Sequence, residues 1–286
     1  MLKLNSLHLA KNLHRQPNEH KGIVGKVLLI GGSASMTGSI VLAGLGSLYT
    51  GAGWINLMIL DECYPSLIPG YPEFMVHNSQ TNSPVNTLKD IGADVIVIGP
   101  GLGMNEDSKN WLSASIDYHS PLIIDADGIN LLAKDRGLLD RVSNRFSTTI
   151  LTPHPGEASR LLNTNSAEIQ KNRIGAIQEI IDLTNSIVIL KGHKTLLGMK
   201  SEAILTCLDG NPGMAIAGMG DVLAGTIASF VCQGLHHHLN PWQASCLAVE
   251  IHALAADSLV NNGVGPIGIT PSELSKEMRH VLNLNT

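Results

Sequence analysis

Five short apolar runs, each closing on glycine or polar residues, constrain this chain more than any other feature. Lys26–Ile30 runs into Gly31-Gly32-Ser33, Asp94–Ile98 into Gly99-Pro100-Gly101-Leu102-Gly103, and Leu122–Ile124 into Asp125-Ala126-Asp127-Gly128. Thr149–Leu151 runs into Thr152-Pro153-His154-Pro155-Gly156-Glu157, and Ile187–Leu190 into Lys191-Gly192-His193-Lys194-Thr195. Apolar character that is continuous rather than alternating suits strands covered on both faces. Helix-length intervals separate the runs, so the strands join by crossovers and their polar ends converge on one cleft. The fold class expected is α/β: a single-domain three-layer α/β/α sandwich around a mostly parallel central sheet.

The remaining elements fit that frame. A helix rich in small residues is expected from about Ile40 to Thr50, an apolar run at Trp54–Leu60, and a loop over 64–71 with Pro65 and Pro69. Asn163–Ser166 offers caps before a helix from Ala167 to Thr184, Asn240-Pro241 opens a long helix through Leu259, and another begins near Pro271. Leu196-Leu197 and Ala203–Thr206 read as a hairpin at the sheet edge. Residues 1–20 are a polar N-terminal segment whose His8, His14 and His20 share no period and are expected at the surface; residues 21–286 form the domain.

With aromatic residues at only 3%, the core must be built from Leu, Ile, Val, Ala and Met. A formal net charge of −5 and no basic run argue against nucleic acid as a partner. Cys63, Cys207, Cys232 and Cys246 lack metal-ligand spacing and read as free thiols in a reducing compartment. No apolar run reaches the roughly 20 residues that span a bilayer, and the N-terminus lacks an apolar signal region, so no membrane partner and a cytoplasmic location are expected.

The candidate chemistry centres on Gly210-Asn211-Pro212-Gly213-Met214-Ala215-Ile216-Ala217-Gly218-Met219-Gly220-Asp221, which runs directly into an apolar helical pattern. The first amides of a helix lack intrahelical acceptors and carry partial positive charge, which makes an anion site. Gly218 and Gly220 let backbone approach a bulky anion, with the Met219 amide between them. Asp221 beside that site suits a general base acting on a nucleophile next to a phosphoryl group. It equally suits simple support of the first helical turn.

Other candidates carry similar alternatives. His154 is either a structured turn residue or part of the cleft. Glu157 falls in the first turn of the next helix, where the dipole favours it as readily as a metal would. Lys191, Gly192, His193, Lys194 and Thr195 offer cations, a flexible turn and a hydroxyl suited to a nucleotide phosphate, without the order of a Walker A loop. Asp125 and Asp127 could hold Mg²⁺ through water, and Asp127 could instead cap a helix near Gly128. The run His236-His237-His238 points in different directions on a helix and makes a poor metal site. Glu250 and His252 are ambiguous, and Asp257 is expected to face solvent.

Taken together, Gly25-Lys26 with Gly31-Gly32-Ser33, Gly99–Gly103, Asp125–Gly128, Thr152–Glu157, Lys191-Gly192 and Gly210–Asp221 closely resemble the NAD(P)H-hydrate (NAD(P)HX) dehydratases of the ribokinase-like superfamily, over about residues 20–280. The resemblance implies a hydro-lyase of nicotinamide nucleotide repair. It would restore NADH and NADPH from the S-epimers of their hydrates, NADHX and NADPHX, with hydrolysis of ADP, or alternatively ATP, and with Mg²⁺. It implies Asp221 as base and the amides of Gly218, Met219 and Gly220 as phosphoryl hole. Ser39, Gly101, His154 and Asp221 would contact the hydrate, and Lys191–Thr195 with Gly220 the nucleotide. Any metal contact by Asp125 or Glu157 would pass through water. Alanine is usual in the family where Ser39 stands. Relatives suggest a homotetramer, which the small-residue helix at 40–50 would suit. The chain has no room for the epimerase domain fused in many relatives, so a separate epimerase partner is expected. The alternative function is a ribokinase-like kinase of a small alcohol such as hydroxymethylpyrimidine or hydroxyethylthiazole.

Overall fold

The computed structural model describes residues 2–61, 70–79 and 83–286; Cys63 and most of the expected 64–71 loop lie outside them. Its strands are β1 (Leu2–Lys3), β2 (Lys26–Gly31), β3 (Trp54–Ile59), β4 (Met75–Asn78), β5 (Val95–Ile98), β6 (Leu122–Ile124), β7 (Thr149–Leu151), β8 (Ile187–Leu190), β9 (Leu196–Gly198) and β10 (Leu205–Thr206). They form one sheet in the order β1-β10-β9-β8-β7-β6-β5-β2-β3-β4. From β8 through β4 every pairing is parallel, whereas β9 is antiparallel to both β8 and β10, as the hairpin at the edge requires.

Helices cover both faces: α1 (Thr37–Tyr49), α2 (Pro84–Ile91), α3 (Glu106–Asp117), α4 (Ala126–Lys134), α5 (Arg136–Ser143), α6 (Pro155–Leu161), α7 (Ser166–Lys171), α8 (Arg173–Thr184), α9 (Met219–His237), α10 (Pro241–Asn261) and α11 (Pro271–Asn283). The period-two alternation of the strands divides the core. Val27, Leu29, Val95, Val97 and Ile123 pack towards α1, α9, α10 and α11. Their neighbours Leu28, Ile30, Ile96, Ile98 and Ile124 pack towards α2–α8. Each such side chain is worth about 1.5–3 kcal/mol when fully buried, so both layers depend on the same strands. This is the three-layer sandwich expected.

The small residues of α1 serve contacts within the chain. A Cβ on Gly46 would lie 2.2 Å from the Val222 carbonyl oxygen of α9, and one on Gly225 would lie 1.8 Å from that of Ala43. The two helices therefore touch backbone to backbone, and the Ser47 hydroxyl donates to the Gly225 carbonyl at 2.8 Å.

Two differences from the sequence reading have local causes. The helix expected over Ala167–Thr184 is two helices, broken at Asn172, whose side chain accepts from the Gly175 amide at 3.0 Å and caps α8. Residues 2–20 pack onto the body: Leu4, Ala10 and Leu13 are buried, and both the amide and hydroxyl of Ser6 donate to Glu250 at 2.5 Å. His8, His14 and His20 are exposed.

Candidate active site

The chain order reverses beside β2: β3 and β4 extend the sheet one way, β5 to β8 the other. Clefts in open α/β sheets form at such a switch point, at the carboxyl ends of the strands. There the turns after β2 and β5 are tied together, the Gly32 amide donating to Pro100 at 3.0 Å and the Ser33 amide to Gly101 at 2.6 Å.

Helix capping differs among the helix starts. Among the described residues, α2, α3, α5, α6, α7, α8, α10 and α11 each begin with a side chain that accepts from a first-turn amide. Helices α1, α4 and α9 have no such cap. All three start at the carboxyl edge, beside the strand ends. Uncapped helix starts leave amide donors and positive partial charge for an anion.

Of these, α9 brings its whole first turn to a cavity. Gly218 precedes it at φ 93°, and a Cβ there would also lie 2.4 Å from Leu42 Cδ1, so glycine is required twice over. Gly218–Asp221 line a cavity of about 700 Å³ together with His154 and Lys191–Thr195. Burial, followed by the charge of Asp125, pushes the Asp221 carboxyl up to about 7, against the Lys191 ammonium and the Ser39 hydroxyl, which favour its charged form. A carboxylate poised near neutrality is suited to taking and returning a proton.

Beneath α9 lies a buried ionic cluster. Lys191 Nζ donates to Asp125 Oδ1 at 2.6 Å and lies 4.0 Å from Glu157 Oε2. Thr152 Oγ1 donates to the same Asp125 oxygen at 2.6 Å. Burial alone would lower the Lys191 pKa, but Asp125 and Glu157 outweigh it and the net shift is upwards. The glycine at 220 is explained here: a Cβ would lie 3.1 Å from Lys191 Nζ, an ammonium already held in place.

His154 is both turn residue and cavity wall. Its Nδ1 accepts from the Gly156 and Glu157 amides at 2.9 and 3.2 Å, capping α6. Its Nε2 lies 3.0 Å from Glu157 Oε1, and the other Glu157 oxygen accepts the His154 amide at 2.8 Å. Burial raises the Glu157 pKa, yet His154 and Lys191 together bring it below the ordinary carboxylate value.

Ser39 and Gly101 lie together, but apart from that cavity's lining: a Cβ on Gly101 would be 3.3 Å from Ser39 Cβ and 2.7 Å from the Met36 carbonyl. They stand at the adjacent ends of α1 and β5, with Asp221 between them and the ionic cluster.

Four residues take places that the sequence left open or did not show. Asp257 does not simply face solvent: it accepts from the Gly210 amide at 2.7 Å and Asn211 Nδ2 at 2.9 Å, pinning the glycine loop to α10. Asp127 does not cap α4; it accepts from the Gly103 amide at 2.9 Å and braces the turn after β5. Arg173 enters unforeseen, donating to the Leu190 and Lys191 carbonyls at 3.0 and 3.4 Å and fixing the end of β8. His252 also enters the site, its Nε2 meeting the Met219 carbonyl at 3.1 Å. Of the tandem histidines, His237 approaches Glu19 at 3.6 Å.

An uncapped helix start, a carboxylate beside it and a basic loop after β8 thus border one cavity, and the fold is ribokinase-like. A family model described as NAD(P)H-hydrate dehydratase matches residues 27–280. The chain belongs to that family. It is 35% identical over 269 residues to the bifunctional NAD(P)H-hydrate repair enzyme Nnr of Escherichia coli K12, covering 94% of this chain and 50% of that protein. The ADP-dependent (S)-NAD(P)H-hydrate dehydratase of Neisseria meningitidis serogroup B is 34% identical over 272 residues, 94% of this chain and 88% of the relative. Among solved structures, the ADP/ATP-dependent NAD(P)H-hydrate dehydratase of Bacillus subtilis, co-crystallized with ATP and Mg²⁺, superposes with a TM-score of 0.86 at 26% identity, covering 100% of this chain and 99% of that one. The chain thus spans about half the length of the bifunctional relatives and nearly all of the single-function ones.

Proposed function

We propose that this chain dehydrates the S-epimers of NADHX and NADPHX to NADH and NADPH, driven by hydrolysis of ADP to AMP or of ATP to ADP. The observation that carries this reading is the Asp221 carboxyl, poised at about 7 beside the uncapped start of α9.

In this reading the hydrate's ring hydroxyl lies between Asp221 and the terminal phosphoryl group of the nucleotide. Asp221 takes the hydroxyl proton as the oxygen bonds to phosphorus, and the bond from phosphorus to the leaving nucleotide breaks. The amides of Gly218 to Asp221 hold the oxygens of the transferring group, where charge accumulates. The phosphorylated hydrate then loses phosphate, which departs with the carbon–oxygen electron pair, and loss of a ring proton restores the double bond. Ser39, Gly101 and His154 would orient the hydrate, and Lys191–Thr195 with Gly220 the nucleotide.

Asp125 and Glu157 border the same cavity and fit a Mg²⁺ ion through its retained waters, since Asp125 Oδ1 already accepts from Thr152 and Lys191. The ion would offset phosphate charge. A cytoplasmic location, a homotetramer and a separate epimerase partner complete the reading.

The test is product stoichiometry. Incubated with NADHX and ADP or ATP, the protein should release one inorganic phosphate for each NADH formed, with no phosphorylated intermediate accumulating. A stable phosphorylated product from hydroxymethylpyrimidine or hydroxyethylthiazole, without activity on NADHX, would replace this function with the small-alcohol kinase.

A further inference from the structure

His252 lies one helical turn from Val249 on the α10 face that walls the cavity, beside Ala253. It is 6% exposed. Its Nε2 lies 3.1 Å from the Met219 carbonyl oxygen. A carbonyl only accepts, so Nε2 carries the hydrogen and Nδ1 is left with a bare lone pair. Among the described residues no hydrogen-bond partner meets Nδ1, and the ring borders the cavity, the space from which a partner can reach it. Burial, with the Lys191 ammonium nearby, pushes the imidazole down to about 4, so the ring stays neutral in ordinary conditions.

The wall at this end presents donors in the first amides of α9, Lys191 and the turn after it, and its carboxylates Asp125, Glu157 and Asp221 belong to the ionic cluster and the proposed base, so His252 adds a fixed, neutral acceptor. A phosphate oxygen, itself rich in lone pairs, would be a poor neighbour for Nδ1. The complementary group is a donor held just beyond the phosphates. Along a nucleoside diphosphate, the first donors beyond the phosphates are the ribose hydroxyls. The apolar side chains of Met214, Leu223 and Val249 border the cavity further along and suit a base.

We infer that His252 Nδ1 accepts a hydrogen bond from a ribose hydroxyl of the nucleotide and thereby selects ribonucleotides. The inference rests on the cavity being the nucleotide site. A buried acceptor left facing a missing hydroxyl is unsatisfied, which corresponds to a roughly five- to thirtyfold loss of affinity, taking roughly 1–2 kcal/mol for an unmade hydrogen bond.

The test is a titration of wild type and His252→Leu with ADP, 2′-deoxy-ADP, 3′-deoxy-ADP and the purine riboside diphosphate that lacks the base amine. Wild type should bind one of the deoxy nucleotides at least fivefold more weakly than ADP and tolerate loss of the base amine. His252→Leu should bind ADP and that deoxy nucleotide equally. Equal binding of ADP and both deoxy forms by wild type overturns the inference, while the nucleotide site itself stands. Retained discrimination in His252→Leu overturns it as well, as does discrimination against the purine riboside form alone, which would assign Nδ1 to the base. No binding of ADP or ATP by wild type would remove the nucleotide reading and this inference together. Because the wild-type titration stands alone, the test survives even if the variant fails to fold.

Discussion

Lys191 Nζ lies 2.6 Å from Asp125 Oδ1, joining the end of β8 to the end of β6 directly beneath the start of α9. Asp125 is 1% exposed, so the pair is a buried one in which each charge depends on the other. Truncating one partner leaves an uncompensated charge in the interior, at a cost of about 3–5 kcal/mol. Lys191→Met should therefore lower the denaturation midpoint sharply, whereas Lys191→Met with Asp125→Leu should recover part of the loss. Chemical denaturation of the three proteins checks this; a single variant as stable as wild type would show that the pair is not coupled.

Asp221 gives opposite signs for stability and activity. Its carboxyl is raised from 3.8 to about 7, so between those values the folded protein holds a proton that the unfolded chain has released. Stability contributed by this group thus falls as pH rises from about 4 to about 7 and is lowest above 7. Asp221→Asn removes that penalty and should be more stable than wild type at pH 8, by on the order of 2–4 kcal/mol, with the difference vanishing near pH 4. The same substitution should lower turnover at least ~10²-fold. In wild type, kcat/KM should rise with pH up to about 7 because the base must be ionised. Parallel melts and rate profiles read both effects; a variant less stable than wild type at pH 8 would contradict the origin assigned to the shift.

His154→Ala removes the acceptor for two first-turn amides of α6. Loss of such a cap costs about 1 kcal/mol. Asparagine, a strong capping residue, should restore most of that stability. If the hydrate also contacts His154, neither variant recovers wild-type KM for NADHX, so thermal melts and steady-state kinetics separate the two roles.

Gly225→Ala places a methyl group 1.8 Å from the Ala43 carbonyl oxygen. Backbone on backbone cannot yield as a side-chain tip can, so α1 must move off α9 and carry Ser39 away from Asp221. A destabilisation above about 2 kcal/mol, within the range for overpacked cores, is expected, with turnover falling alongside it. Normal activity in a folded Gly225→Ala protein would show that the α1–α9 contact does not position the site.

The central sheet was legible because its strands carry unbroken apolar runs that end in glycine or polar residues, and those ends are where the site forms. Glycines at 218 and 220 were legible as a loop entering a helix, although the reason for Gly220 proves to include the neighbouring Lys191 ammonium as well as room for an anion. What escaped has a common cause. Asp257, Arg173 and His252 act on backbone atoms of distant segments, and backbone partners leave no trace in side-chain spacing. The break at Asn172 did leave a signal, since asparagine is a favoured helix cap, but the apolar periodicity on either side masked it. The packing of residues 2–20 rests on Ser6 and Glu250, which are 244 positions apart.

The most direct measurement is absorbance in the reduced-nicotinamide band on mixing wild type or Asp221→Asn with the S-epimer of NADHX and Mg²⁺, in parallel with ADP, with ATP and with neither. A rise for wild type that requires a nucleotide, reduced at least ~10²-fold in Asp221→Asn, is the result predicted, and the nucleotide that supports it identifies the phosphoryl donor. No rise with either nucleotide from folded wild type would contradict the dehydratase function, and an undiminished rise in Asp221→Asn would contradict the assignment of Asp221 as its base.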